Sequence, residues 1–331
     1  MRLSILFPFA AILAGLVMPA LAQQAAEEAP PADIAQRVAL ATRQAEAGGA
    51  GPFPAEMVSE ASLPTHTIYR PRDMAAATAK GPIPVIAWGN GACTNVGNRF
   101  RYFLTEIASR GYVVVAVGPR GPSTMEWKVN LPQAADVPPE KRMPGSFAAQ
   151  LVDAIDWAVA ENARAGSPYQ GRLDVSAIAV MGQSCGGLQA ISAAADRRVR
   201  TAVILNSGTF PEGTPPLAGT GDAIRASLAR LRGPTLWLSG DETDVAHRNA
   251  AGDFAAVTAV PAVWAWHHGT GHSEHFREPR GGLFVPVVAD WLDWQLKGQV
   301  GRAASFVGQG CGLCSQPGWE VSTKGLAPLR P

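Results

Sequence analysis

From residue 81 onward the chain is punctuated by six short, nearly unbroken apolar runs: Ile83 to Trp88, Tyr112 to Val117, Ile178 to Met181, Val199 to Leu205, Thr235 to Leu238 and Ala262 to Trp266. None alternates apolar with polar residues, so each reads as a strand covered on both faces. Helical patterns lie between them. Phe100, Phe103, Leu104, Ile107 and Ala108 recur at helical spacing ahead of Gly111; Phe147, Leu151, Ile155 and Val159 do so before the third run, and Phe284, Val287, Val288, Trp291 and Leu292 after the sixth. Strand and helix in succession predict right-handed crossovers and an α/β fold with a mostly parallel central sheet and helices on both faces. Residues 118 to 145 and 209 to 232 interrupt the rhythm, each leaving the carboxyl end of a strand. That is where an open α/β sheet places its ligand crevice, so both are expected to wall a substrate site.

The amino-terminal 60 residues are of a different kind. Residues 1 to 22 combine Arg2, an apolar run from Leu3 to Met18 and the small-residue sequence Ala20-Leu21-Ala22, the pattern of a cleaved export signal. The run is broken by Pro8 and shorter than the roughly 20 residues a bilayer span requires, so no lasting membrane anchor is expected. Residues 23 to 60 form an extension with one short helix from Asp33 to Ala47, residues 61 to 300 the main domain, and residues 301 to 331 a tail. Lys and Arg number 28 against 27 Asp and Glu, with neither sign clustered, which argues against nucleic acid or an anionic surface as partner. The oligomeric state is not legible.

The sequence that carries chemistry is Gly182-Gln183-Ser184-Cys185-Gly186, a G-x-S-x-G between the third apolar run and a small-residue helix from Leu188 to Ala195. A strand that turns at once into a helix strains its middle residue and leaves no room for bulk two places to either side. Ser184 is then presented clear of the sheet, and the amide of Cys185, at a helix start, faces where an acyl oxygen would gain charge.

On these residues, together with "VIAWGNGACTN", "FLTEIASRGYVVVAVG" and "GQSCGG", the chain resembles the α/β-hydrolase superfamily over roughly residues 65 to 298. It looks most like the secreted esterases related to dienelactone hydrolases, chlorophyllases and cutinase-like polyesterases. Dienelactone hydrolases use a cysteine nucleophile; here the central residue of the elbow is Ser184, with Cys185 one place beyond. The resemblance implies a Ser-His-Asp triad, no metal or organic cofactor, and a small-molecule or polymeric ester as substrate. Among six histidines, His272 in "GTGHSEHF" resembles the family's Gly-His loop, with His268 and His275 as alternatives. In "SGDETDVAH" the family pattern favours Asp244, just before Val245-Ala246, over Asp241, a residue suited to capping a turn. The second oxyanion donor is expected from the loop after the first run, at Gly91 or else Asn90. This loop departs from the His-Gly form common in lipases.

Four cysteines in an exported chain can pair in three ways. Cys93 follows the oxyanion loop and Cys185 the elbow, so a bridge between them would brace both donors; Cys311 and Cys314, in a Gly-rich tail, either pair with each other or take other partners. Most of the nine tryptophans fall in core strands and helices, but Trp88 and Trp127 are candidates to touch substrate. The same parts would serve a peptidase, a lactone hydrolase or an acyltransferase, and a hydrolase-like fold can also act as a non-catalytic binding protein.

Overall fold

A computed structural model describes residues 32–121 and 145–326. In chain order these residues form α1 (Ala32–Ala47), β1 (Ala55–Val58), β2 (His66–Pro71), α2 (Met74–Ala77), β3 (Ile83–Gly89), α3 (Arg101–Ala108), β4 (Val113–Val117), α4 (Ala149–Ala163), β5 (Leu173–Gln183) and α5 (Cys185–Ala193). There follow β6 (Val199–Leu205), β7 (Thr235–Gly240), α6 (His247–Ala256), β8 (Ala262–His267), α7 (Phe284–Lys297) and β9 (Trp319–Lys324). The strands make one sheet in the order β1-β2-β4-β3-β5-β6-β7-β8-β9. From β4 to β8 every neighbour is parallel, and these are the six strands expected from the apolar runs. The antiparallel flanks β1, β2 and β9 have mixed compositions and were not legible.

The six parallel strands are mostly apolar because both faces are buried, and successive side chains go to opposite cores. Ile86, Trp88, Val114, Ala116, Ala179, Met181, Val203 and Leu205 pack with α3 and α7 through Phe103, Leu104, Val288 and Trp291. Val85, Ala87, Val113, Val115, Ile178, Val180 and Ile204 pack on the other side with Leu151, Ile155, Leu188 and Ala250 from α4, α5 and α6. Phe147 departs from its expected place on the α4 stripe: the helix begins only at Ala149, and this ring is 59% exposed.

Both terminal segments join the fold more fully than their compositions imply. Ala41 of α1 packs on Tyr102 of α3, and β1 extends the sheet. At the other end Phe306, Cys311, Leu313 and Trp319 are buried in the α7-side core, and β9 pairs along the whole of β8, so residues 301–326 are part of the domain rather than an appendage. Residues 1 to 22, with the candidate export signal, lie outside the described residues. No helix among the described residues is long and apolar enough to cross a membrane.

Most of the first excursion, with Trp127, also lies outside the described residues. The second is anchored by a buried carboxylate on α6: Asp253 accepts the Thr209 amide (2.8 Å) and the Thr209 hydroxyl, while Arg225 approaches Asp253 to 3.3 Å and donates to the Thr209 carbonyl. Burial pushes the Asp253 carboxyl up to about 6 despite these partners. The folded chain therefore holds a proton that the unfolded chain has lost between about pH 4 and 6, and the group's favourable contribution disappears as pH rises through that window. The expected size is about 3 kcal/mol. Urea unfolding at pH 4 and pH 7.5 checks it: Asp253→Asn should gain on the wild type by that amount at the higher pH relative to the lower. Equal differences at both pH values would refute the assignment.

Candidate active site

β5 ends at Gln183 and α5 begins at Cys185, which leaves Ser184 alone to make the turn, at φ 53° and ψ −119°. A serine in that region is strained by about 1–3 kcal/mol, held there by the elements on either side. Its amide donates to the Leu205 carbonyl of β6 (2.9 Å), and the Ser207 hydroxyl donates to its carbonyl (2.6 Å). The glycines have the expected steric role. A Cβ on Gly182 would lie 2.1 Å from the Gly186 carbonyl oxygen, and one on Gly186 would lie 2.0 Å from that of Gly89. The elbow and the loop after β3 are thus in backbone contact.

His272, in the loop after β8, places Nε2 2.9 Å from Ser184 Oγ, and its Nδ1 lies 2.6 Å from Asp244 Oδ1. A carboxylate only accepts, so Nδ1 carries the proton and Nε2 offers its lone pair to the serine hydroxyl. The imidazole side chain is 28% exposed, whereas that of Asp244 is sealed at 0%, which leaves the proton acceptor open and the orienting charge dry. Burial alone would raise the Asp244 carboxyl. Hydrogen bonds from His272, the Ala246 amide (2.9 Å) and Asn206 (2.8 Å) outweigh it and hold the group below its ordinary range.

The alternatives have other partners. Asp241 closes its own turn, accepting the amide and hydroxyl of Thr243 and the Gly269 amide (2.6 Å), which together draw its carboxyl down to about 2. His268 is exposed and lies 3.4 Å from Glu320. His275 is buried against Phe276 and Phe284, and burial drives its pKa down to about 3. His66, in β2, reaches the Gln150 carbonyl; His247 faces the Gly240 carbonyl; His267 meets Thr270.

The loop after β3 is a short 3₁₀ turn, Gly91–Cys93, in which Ala92 (φ 54°) and Cys93 (φ 49°) are both left-handed. Asn90 shapes it from within. Fully buried, its Nδ2 donates to the carbonyls of Thr94, Val96 and Val117, and its Oδ1 accepts Trp88 Nε1. Trp88 is therefore corrected from substrate contact to core. It is 0% exposed against Phe100 and Phe103, with its one polar atom satisfied by the loop two residues on. Cys93 and Cys185 form a disulfide, Cα atoms 5.2 Å apart, and tie this turn covalently to the elbow. Cys185 opens α5, so its N–H lacks an intrahelical acceptor and is open to an anion. Cys311 and Cys314 form the second disulfide.

Two contributors, Gln183 and Asn206, were missed in the sequence, and a third, His275, was read there only as an alternative base. Gln183 donates from Nε2 to the His272 carbonyl (3.0 Å); Asn206 and His275 complete the surroundings of Asp244. The second excursion only partly meets its expected role. Gly219 adjoins Ser146 and Gln189 beside the disulfide, but a crevice of 620 Å³ lies between Phe210–Pro216 and Ala223–Ala229, with none of Ser184, Asp244 or His272 in its lining. Among the described residues no cluster of three or more His, Cys, Asp or Glu side chains forms a metal cage. No protein-family model matches the chain, and no curated protein matches it significantly.

Proposed function

We propose that this protein is an exported serine hydrolase of the α/β-hydrolase fold that cleaves carboxylic esters through an acyl-enzyme. The observation that carries this reading is the continuous chain from Ser184 Oγ through His272 to Asp244, at 2.9 and 2.6 Å, on a strained strand-to-helix turn. The chain order Ser184, Asp244, His272 is that of the superfamily. Two disulfides and the candidate leader in residues 1 to 22 support export.

In the reaction, Ser184 Oγ attacks the ester carbonyl carbon as His272 Nε2 takes the hydroxyl proton. Asp244 holds the imidazole in the tautomer that can accept and stabilises the imidazolium that results. The carbonyl oxygen, now negative, is received by the amide of Cys185 and one from the Gly91 turn, with Asn90 fixing that turn; losing one such donor costs about 3 kcal/mol of barrier. As the tetrahedral adduct collapses, its C–O bond to the alcohol breaks and His272 protonates the departing oxygen. Water, deprotonated by the same nitrogen, then attacks the acyl-enzyme, and release of the carboxylic acid returns the proton to Ser184.

A fluorophosphonate probe followed by peptide mapping tests the proposal. The expected result is one adduct, on Ser184, with p-nitrophenyl ester hydrolysis lost in parallel. Absence of an adduct, or one on another residue while ester turnover persists, would overturn it.

A further inference from the structure

Each oxygen of Asp244 is doubly engaged. Oδ1 accepts from His272 Nδ1 and the Ala246 amide, and Oδ2 from the Gly240 amide (3.0 Å) and Asn206 Nδ2 (2.8 Å). Two of these donors are backbone and cannot turn away; Asn206 is a side chain whose two ends are nearly the same shape. Its orientation therefore needs a cause. Asn206 follows β6 with φ 44°, a left-handed conformation that Asn tolerates better than most residues, and its amide donates to Leu238 of β7 (2.7 Å). This places the side chain, fully buried, between the acid loop and the His272 loop.

Nδ2 faces two acceptors, Asp244 Oδ2 and the Gly271 carbonyl (3.2 Å), while Oδ1 faces His275 Nε2 (3.2 Å). An amide turned the other way would set its oxygen against a carboxylate and a carbonyl. His275 must then be the donor, with its proton on Nε2. Its other nitrogen, Nδ1, is buried with no hydrogen-bond partner, as a lone pair among the rings of Phe276 and Phe284 can be and an N–H would not readily be. Burial keeps this imidazole neutral, so it does not oppose the charge that forms on His272 in the reaction.

We propose that Asn206 and His275 act as a positioning arm for the proposed triad: His275 Nε2–H fixes the Asn206 amide, and Asn206 fixes the carboxylate rotamer that receives His272 Nδ1–H. The inference rests on the serine-hydrolase reading and adds to it two residues that touch neither substrate nor serine. Through Gly271, the same amide also ties down the loop that carries His272. The titratable groups around the arm are Asp244 from the loop before α6, His272 and Glu274 from the loop after β8, and His267 at the end of β8.

The test measures kcat, KM and the rate of fluorophosphonate labelling from pH 5 to 9 for wild type, Asn206→Leu, His275→Phe and His275→Gln, with thermal unfolding to confirm folding. Asn206→Leu should lower kcat and labelling rate by about 10- to 100-fold with little change in KM, the effect of withdrawing a hydrogen bond from a buried charge. Asn206 Nδ2 donates to Asp244 Oδ2, so its loss leaves a more basic carboxylate against His272 Nδ1–H and should also move the acid limb of kcat/KM to higher pH. His275→Phe should shift both in the same direction, and His275→Gln, which can still donate to Asn206 Oδ1, should recover most of the loss. The arm is refuted if folded variants keep the wild-type rate and limb, or if activity falls with the limb unmoved and Gln no better than Phe. Should Asn206→Leu fail to fold, the Phe and Gln pair decides alone. Wild type that takes no label on Ser184 would refute the hydrolase reading itself, a result distinct from normal wild-type labelling with indifferent arm variants.

Discussion

Alanine in place of Ser184 is expected to lower kcat for p-nitrophenyl acetate by about five to six orders of magnitude, because in the proposed reaction nucleophile and base act as one unit and neither works without the other. What survives is the small acceleration from oxyanion donors and binding. The substitution should leave stability nearly unchanged, since alanine suffers the same backbone strain at φ 53° and the backbone N–H still donates to the Leu205 carbonyl. Steady-state kinetics and urea unfolding on the same preparation check both halves. A variant retaining more than about a hundredth of wild-type kcat would place the nucleophile elsewhere.

Asp244→Asn is expected to lower kcat by about 10⁴-fold, with Asp241→Asn close to wild type. An asparagine here can turn its amide nitrogen toward His272 Nδ1, which favours the tautomer with the proton on Nε2, and that nitrogen then has no lone pair for Ser184. Asp241 differs because its oxygens serve Thr243 and Gly269 in its own turn. Comparable losses in the two variants would remove the distinction drawn between them.

Sequence patterns are informative here where the cause is local. The six parallel strands are legible because burial on both faces leaves few polar positions in them, and the elbow because a one-residue turn dictates its own glycines. The flanking strands, Ala55–Val58, His66–Pro71 and Trp319–Lys324, were not: each carries polar residues that suit an edge as well as a loop. Ser184, Asp244 and His272, marked by turn chemistry and order along the chain, are brought into hydrogen-bond contact. Asn206 gave no such signal, since a polar residue after a strand is common, and His275 stood out only as an alternative base in a His-rich loop; their meaning comes from partners 38 and 69 residues away. Trp88 misled for a related reason. It stands next to the glycine-rich loop after β3, where a substrate contact is expected, while Asn90, which takes its indole N–H, reads as an ordinary turn residue.

The pairing of β9 with β8 bears on how the molecule keeps to itself. A chain ending at residue 300 would leave β8, with its Trp264 and Trp266, as a bare row of amides and carbonyls at the rim of a large apolar sheet, a template for strands from other copies. The last strand occupies that row and exposes Glu320 and Ser322, while the half-buried Lys324 donates from Nζ to the Ala255 and Val257 carbonyls. The segment that looks most dispensable thus shields the folded protein against sheet-to-sheet coalescence.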